Sequence, residues 1–561
     1  MEIYMYFIIA GAVFLFFVYQ SVIFRKNERL KLLNKIKNNW GSVPDREYEY
    51  NEFQKITKYY QAVAGSEFHI DDITWNDLAM DDIFMLLNNT YSSAGEEYLY
   101  KMLRIPSFDN TELKNREKLI RYFEENNNEA FLLQERFAAL GRTKSISLSQ
   151  FLHRLGDLGN RSNVKHYVMD ILFATSAGLL FFQPVAGLVL FLLMLSVNII
   201  SYYREKAEIE SYFICFKYLV DMINCADAVV KLNIKGIDEY TSILKDCLAQ
   251  LQTVRNGIFL LSMNGTGGSL GEIIMEYFRM IFHVDIIKFN SMLDSTRTNI
   301  RYIDTMFETL GRLEAGMAVA SFRTALPYYC RPELYKAGNN SRHLDVKEIY
   351  HPMISNPVAN SLYEEKCVLI TGSNASGKST FLKTIAINAI LAQTVYTCTA
   401  RNYVSCFFRI YSSMALKDNL LNNESYYIVE IKSLKRIIDA IDDRIPVLCF
   451  VDEVLRGTNT VERIAASSHI LKYLSLRNVM CFAATHDIEL THMLVDDYSN
   501  YHFTENVQKN DIQFSYELLK GRATSRNAIQ LLNIIGFEKS IVKNADELAH
   551  KFMEQGVWEK L

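Results

Sequence analysis

The chain has 561 residues and nine cysteines, yet no two cysteines stand in a CxxC pair or at metal-ligand spacing. A disulfide framework and a zinc ribbon are thereby excluded, and the cysteines read as reduced, small apolar fillers. No HExxH occurs, which removes the zinc-hydrolase helix. Strong charge of either sign is also missing: the net charge is −4, and residues 204–330 carry 13 Lys and Arg against 15 Asp and Glu. That balance argues against a broad basic stripe for duplex DNA and leaves room only for a local patch.

Two stretches lack charge almost entirely. Residues 3–24, IYMYFIIAGAVFLFFVYQSVIF, are uncharged and match the roughly 20 residues that cross a bilayer core. No Lys or Arg precedes them, and Arg25-Lys26 follow where a cleavable signal would need small residues, so an anchor is expected. Positive charge at Arg25, Lys26, Arg29 and Lys31 keeps that side in the cytoplasm and the N-terminus outside. The second stretch, Tyr167 to Tyr203, holds one charge, Asp170, and has Gln183-Pro184 in its middle. As one helix it would extend roughly 55 Å against a hydrocarbon core of about 30 Å, so a hairpin is expected. Arg161, Lys165, Arg204 and Lys206 flank it and agree with both ends in the cytoplasm. A re-entrant or interfacial hairpin, and a hairpin buried in a protein core, are the competing readings of the same residues.

What the chain does have begins at 367. The run CVLITGSNASGKST places a strand-like segment before Gly372-x-x-x-x-Gly377-Lys378-Ser379, and the helix-like FLKTIAINAILAQ follows. Glycines let backbone N–H groups turn inward around a phosphate chain, Lys378 supplies a mobile positive charge for the β/γ oxygens, and Ser379 offers a hydroxyl to Mg²⁺ at a helix N-terminus. Gly372, Asn374, Gly377, Lys378, Ser379 and Thr380 are therefore the candidate ATP-binding set. At 447–453, VLCFVDE ends an apolar strand on Asp452 and Glu453. Asp452 is expected to hold Mg²⁺ and Glu453 to orient or deprotonate water, because phosphoryl transfer asks a protein mainly for positioning and charge neutralisation. A third apolar strand, NVMCFAAT, closes at Thr485-His486-Asp487, where His486 could sense the γ-phosphate. Lys378, Glu453 and His486 are the candidate catalytic residues; Ser379 and Asp452 are the candidate metal ligands.

The order and wording of these elements resemble the MutS family of DNA-repair ATPases, a branch of the ABC-type ATPases. GSNASGKST is similar to its phosphate loop, with Asn374 at the family asparagine and Ser373 and Ala375 in place of proline and methionine. DEVLRGTNTVE at 452–462 resembles its Walker B segment, and ATHDIEL at 484–490 its switch-histidine segment. DNLLNNESYYIVEI at 418–431 is similar to its signature region, with Ser425 and Glu430 at the serine and acidic positions. The resemblance implies that Ser425 reaches the γ-phosphate held by the other subunit of a homodimer. His351-Pro352, Asn360 and FSYELLKGRATSRNAIQLLNIIGF also follow the family's order, and residues 70–106 and 310–334 look like the two ends of its helical core.

The departures point elsewhere. Pro357 stands where the family commonly places an adenine-stacking aromatic, and the first 120 residues contain no Phe-x-Glu wedge, so the mismatch-reading domain is expected to be missing. No LSGGQ-like run precedes the strand at 447, which ranks a conventional ABC transporter low. The expected fold class is multidomain α and α/β, with transmembrane helices, a MutS-like helical core and lever, and a C-terminal ABC-type P-loop ATPase domain. Its expected divisions are an anchor at 1–24, a cytoplasmic linker at 25–69, a first core part at 70–165, a transmembrane hairpin at 166–203, lever and returning core helices at 204–345, and the ATPase domain with dimerisation helices at 346–561. The expectation is thus a multi-pass cell-membrane ATPase, its nucleotide domain cytoplasmic, coupling ATP and Mg²⁺ to DNA binding of doubtful mismatch specificity. The alternative is a mechanochemical ATPase that acts on the membrane or a membrane protein and not on DNA.

Overall fold

The computed structural model describes the chain except residues 1–18, 21–22, 25, 66, 144–146, 149, 151, 153–158, 160, 253, 255–276, 338–341, 374–375, 415–425, 509–510, 524–528, 530–531, 533–534, 559 and 561. Two compact units result: Met1–Gly65, Leu87–Lys101 and Lys118–Ala325 form one, and Ser66–Leu86, Met102–Glu117 and Leu326–Leu561 form the other. The expected anchor at 1–24 lies almost wholly outside the described residues, as does the glycine-rich run at 259–273.

The first unit is helical. Its helices include α1 (Tyr50–Val63), α2 (Asn127–Leu140), α3 (Val164–Leu179), α4 (Pro184–Lys231), α5 (Asp238–Gln250), α6 (Val284–Thr298) and α7 (Ile300–Ala325). From sequence, 25–69 is expected as a linker, but α1 is built into the unit: Ile56, Tyr59 and Tyr60 are buried. Lys55 is buried beside them, and its ammonium donates to Glu96 Oε1 at 2.8 Å, Ser93 Oγ at 3.0 Å and the Thr143 carbonyl at 2.6 Å. A buried charge is tolerable only with such partners. The polar composition that suggested a linker therefore conceals a packed face.

The apolar stretch at 166–203 does turn back on itself. The chain leaves α3 through Phe181 and Phe182, and Pro184 opens α4, where its missing N–H costs nothing. Gly187 lets the arms close, since a Cβ there would lie 2.6 Å from the Leu180 nitrogen. The expected end of the second arm at Tyr203 is not a boundary: α4 continues unbroken to Lys231, with no Pro or Gly after Gly187 to stop it. Lys165–Glu205 (2.6 Å) and Arg161–Glu208 (3.3 Å) pair charges where the apolar surface ends. Toward the tip Phe181, Phe182 and Val185 are exposed by 88%, 84% and 80%. Among the described residues one helical segment, Pro184–Ile209, is long and apolar enough to cross a membrane; α3, at 16 residues, is shorter than a usual span.

The second unit holds two sheets. Strands β1 (Glu333–Tyr335), β2 (Leu344–Ile349), β3 (Asn360–Glu364) and β5 (Asn402–Cys406) form a four-stranded sheet in the order β1-β5-β2-β3. Strands β4 (Cys367–Thr371), β6 (Arg409–Ser413), β7 (Val447–Asp452), β8 (Val479–Ala484), β9 (Tyr498–Gln508) and β10 (Asp511–Lys520) form a larger one, ordered β10-β9-β4-β8-β7-β6. All its pairings are parallel except β9 with β10. The central strands are continuous apolar runs because helices cover both faces; β4 and β8 are buried at every position. Edge strand β6 is capped by the helix Asp72–Asp77: Ser412 Oγ donates to Asp77 Oδ2 at 2.7 Å, and the Ser412 amide donates to Thr74 Oγ1 at 3.1 Å. An otherwise open sheet edge is thereby blocked.

Candidate nucleotide site

The register of the central strands assembles the site. Val368 faces Phe482 and Ile370 faces Ala484 across β4 and β8, while Asp452 faces Ala484 across β7 and β8. All three strands end at one edge, so the phosphate loop, the acidic pair and the histidine converge there. That is where a parallel sheet places its ligand.

Leaving β4, the chain passes Gly372 (φ +148°) and Gly377 (φ +105°) before α8 (Lys378–Thr394). A side chain at Gly377 would be strained by its φ, and its Cβ would also lie 3.2 Å from Tyr516 Cδ1. Lys378 is buried, and its Nζ donates to the Gly372 and Ser373 carbonyls, both at 2.7 Å. Ser379 and Thr380 are exposed in the first turn of α8. Ser376, inside the loop, is buried with a hydroxyl that has no hydrogen-bond partner among the described residues. A loop that folds a lysine inward and keeps an unpaired buried hydroxyl fits an anionic ligand.

Ser379 lies near Asp452, and burial pushes the Asp452 carboxyl above the usual range against the pull of Ser379 and of Lys378. Glu453 sits at φ +56°, a sparsely populated region for this residue, with its amide tied to the Ala484 carbonyl at 2.9 Å. One carboxylate oxygen lies 3.1 Å from His486 Nε2 and the other 2.9 Å from Arg456 Nε. The His486 bond is the main cause that holds the Glu453 carboxyl below its ordinary value, opposed by burial. From helix α9 (Tyr426–Asp439), buried Glu430 accepts the Leu455 amide and so braces the turn after Glu453. Among the described residues no three His, Cys, Asp or Glu side chains are placed to hold a metal by themselves. Ser379 and Asp452 would hold Mg²⁺ only together with substrate phosphates, the usual mode for this ion.

The structure brings Gly372, Gly377, Lys378, Ser379, Thr380, Asp452, Glu453 and His486 to one edge of the sheet. Asn374 and Ser425 lie outside the described residues. Sequence reasoning missed four residues around this site, two of them a pair. Arg456 is one. Arg463 and Asp487 form the ion pair, beside Glu453. Tyr516 is the fourth: the β9–β10 register shifts between Phe514 and Leu518, and Tyr516 bulges out at φ +53° with its ring against Gly377. Asn360 holds that bulge, donating to the Tyr516 carbonyl at 3.1 Å and accepting the Leu518 amide at 2.7 Å. Pro357 offers no aromatic ring, whereas Tyr516 places an exposed one beside Gly377 of the loop.

Residues 368–553 match the model of MutS domain V. The human MutS protein homolog 4 is 29% identical over 307 residues, covering 51% of this chain and 32% of that protein. The DNA mismatch repair protein MutS of Natronomonas pharaonis is 29% identical over 269 residues, 46% of this chain and 31% of its own length. The DNA mismatch repair protein MSH3 of Candida albicans is 27% identical over 384 residues, 63% of this chain and 36% of its length. The matches thus span about a third of each of these relatives. The chain is thus similar to MutS-family proteins over part of their length, and its residues 368–553 match MutS domain V.

Proposed function

We propose that the protein is a membrane-anchored, homodimeric ATPase of MutS type. The observation that carries the hydrolytic reading is the convergence of Lys378, the Ser379–Asp452 pair and the Glu453–His486 pair at one sheet edge. In this reading Lys378 turns from the loop carbonyls to the β/γ-phosphates, and loop amides cradle the chain of phosphates. Ser379 and Asp452 would hold Mg²⁺, which would supply charge to neutralise the phosphates. Glu453 orients the attacking water and takes its proton; His486 fixes the Glu453 carboxylate. The adenine stacks on Tyr516. Ser425 completes the site of the partner subunit.

The MutS proteins it resembles are named for DNA mismatch repair, so DNA is the first partner to test. The exposed apolar hairpin favours a second reading, in which the ATPase acts on the membrane or a membrane protein. Titrating detergent-purified full chain with matched and mismatched duplexes at two salt concentrations separates the two. DNA binding that falls steeply with salt and changes the ATPase rate supports the first; undetected binding with intact turnover supports the second. Mismatch preference is expected to stay below about fivefold, since one good discriminating contact supplies ~1–3 kcal/mol. Strong mismatch selectivity would refute the expected loss of the reading domain.

Placement is tested separately. With residues 1–24 removed, the chain is expected to remain in the membrane pellet after an alkaline carbonate wash, because the α3–α4 hairpin still presents its apolar surface. Release into the supernatant would show that the hairpin packs against protein.

A further inference from the structure

We propose that Arg463 and Asp487 are positioning residues: their ion pair fixes the turn Thr485-His486-Asp487 and so aims His486 at Glu453. Its kinetic consequence rests on the hydrolytic reading above.

Helix α10 (Thr460–Ser475) starts after Asn459, whose side chain accepts the Val461 amide at 3.0 Å. Arg463 is in its first turn, where the helix dipole disfavours a cation unless a counter-charge is near. Asp487 is that counter-charge. It occupies the N-cap of the short helix α11 (Ile488–Met493), a position where an aspartate usually accepts a backbone amide, but its carboxylate makes no capping bond. Both of its oxygens go to Arg463 instead: Nε to Oδ2 at 3.0 Å and Nη2 to Oδ1 at 2.6 Å. This bidentate arrangement fixes direction as well as distance. The two side chains are 23% and 12% exposed, so solvent screens the pair less than it would a surface contact.

The rest of the turn is tied down at its other end. The Thr485 amide donates to the Ile370 carbonyl of β4 at 3.0 Å, and the Asp487 amide donates to Thr485 Oγ1 at 3.0 Å. His486 is therefore suspended between β4 on one side and α10 on the other, with its Nε2 3.1 Å from Glu453. A cavity of about 170 Å³ beside Glu453 is lined by Arg463, Thr485, His486 and Asp487 among others, so the strut borders the space next to the acidic group. Breaking the pair frees the C-terminal anchor of the turn without touching the phosphate loop. The prediction is a loss in turnover with nucleotide affinity kept.

The test uses the full chain with Arg463→Gln, Arg463→Lys and Asp487→Asn. In nucleotide-free protein, backbone hydrogen exchange over residues 484–490 is expected to quicken about tenfold in the Gln and Asn variants, with β7 and the rest of α10 unchanged. With ATP and Mg²⁺, kcat should fall about tenfold or more while KM stays within about twofold, as for a group that acts by positioning. Arg463→Lys, which keeps the charge and one bond, should fall between. Unchanged exchange in the turn overturns the strut, and quicker exchange with unaltered kcat, or KM rising in proportion, overturns its part in positioning His486. A wild-type chain that hydrolyses no ATP would refute the hydrolytic reading, whereas the exchange measurement would still decide whether the pair fixes the turn.

Discussion

Lys378→Ala is expected to weaken binding of Mg·ATP by about a hundredfold or more, measured by titration calorimetry on the detergent-purified chain. The magnitude follows from the contacts at stake. A hydrogen bond to a charged group contributes ~1.5–3 kcal/mol, and Lys378 is in reach of more than one phosphate oxygen in the proposed mode. Two such bonds exceed the ~1.4 kcal/mol that corresponds to a tenfold change in affinity. Its ammonium already bridges the Gly372 and Ser373 carbonyls, so part of the loss could come from a loosened loop. Lys378→Met keeps the stem and separates the two causes: affinity should drop as far as in the alanine variant if charge is what matters. In the same titration Tyr516→Ala is expected to weaken ATP about tenfold, a typical stacking contribution, and inorganic triphosphate not at all. Unchanged ATP affinity in the Lys378 variants would mean that the loop is not a phosphate site.

The candidate site is legible where its proposed chemistry is local in sequence. Gly372 to Ser379 announce themselves because a strand, a glycine turn and a helix must be contiguous to cradle phosphates, and Asp452-Glu453 because a strand delivers both at once. Strand order was not legible: nothing in the sequence says that β8 lies between β4 and β7, although that insertion brings His486 within 3.1 Å of Glu453. Arg463 looks like an ordinary helix-surface charge and Asp487 like the residue that closes a strand, and only tertiary packing makes them a pair. Tyr516 was hidden for another reason. Its position depends on a bulge held by Asn360, and a bulge shifts which face a strand residue takes without leaving a mark in the alternation of residues. The misread linker has the same origin: Lys55 is a polar residue whose partners, Ser93, Glu96 and Thr143, are distant in sequence. The apolar hairpin was readable from composition, but not the continuation of α4 to Lys231, since a change from apolar to charged residues ends a surface and not a helix.

Glu453→Gln should leave ATP affinity within about threefold of the wild type and lower turnover by about 10²–10⁴, the range a positioned general base supplies. The two effects separate because Lys378 and the loop hold phosphate, whereas Glu453 lies at the end of β7 between His486 and Arg456. Those neighbours favour its charged form and hold its carboxyl below the ordinary range, so the base is ready at neutral pH; its readiness would be lost only as the pH falls through that lowered value. Glutamine keeps the shape and can still accept from His486, but it cannot take a proton from water. Because the variant binds without hydrolysing, it should also accumulate the ATP-dependent dimer that Ser425 is proposed to bridge, visible by light scattering with ATP and Mg²⁺. Near-normal turnover would remove Glu453 from the mechanism. A stalled variant that stays monomeric would instead keep the chemistry and refute the shared site, because a γ-phosphate that persists between two subunits must hold them together if both contribute to its binding.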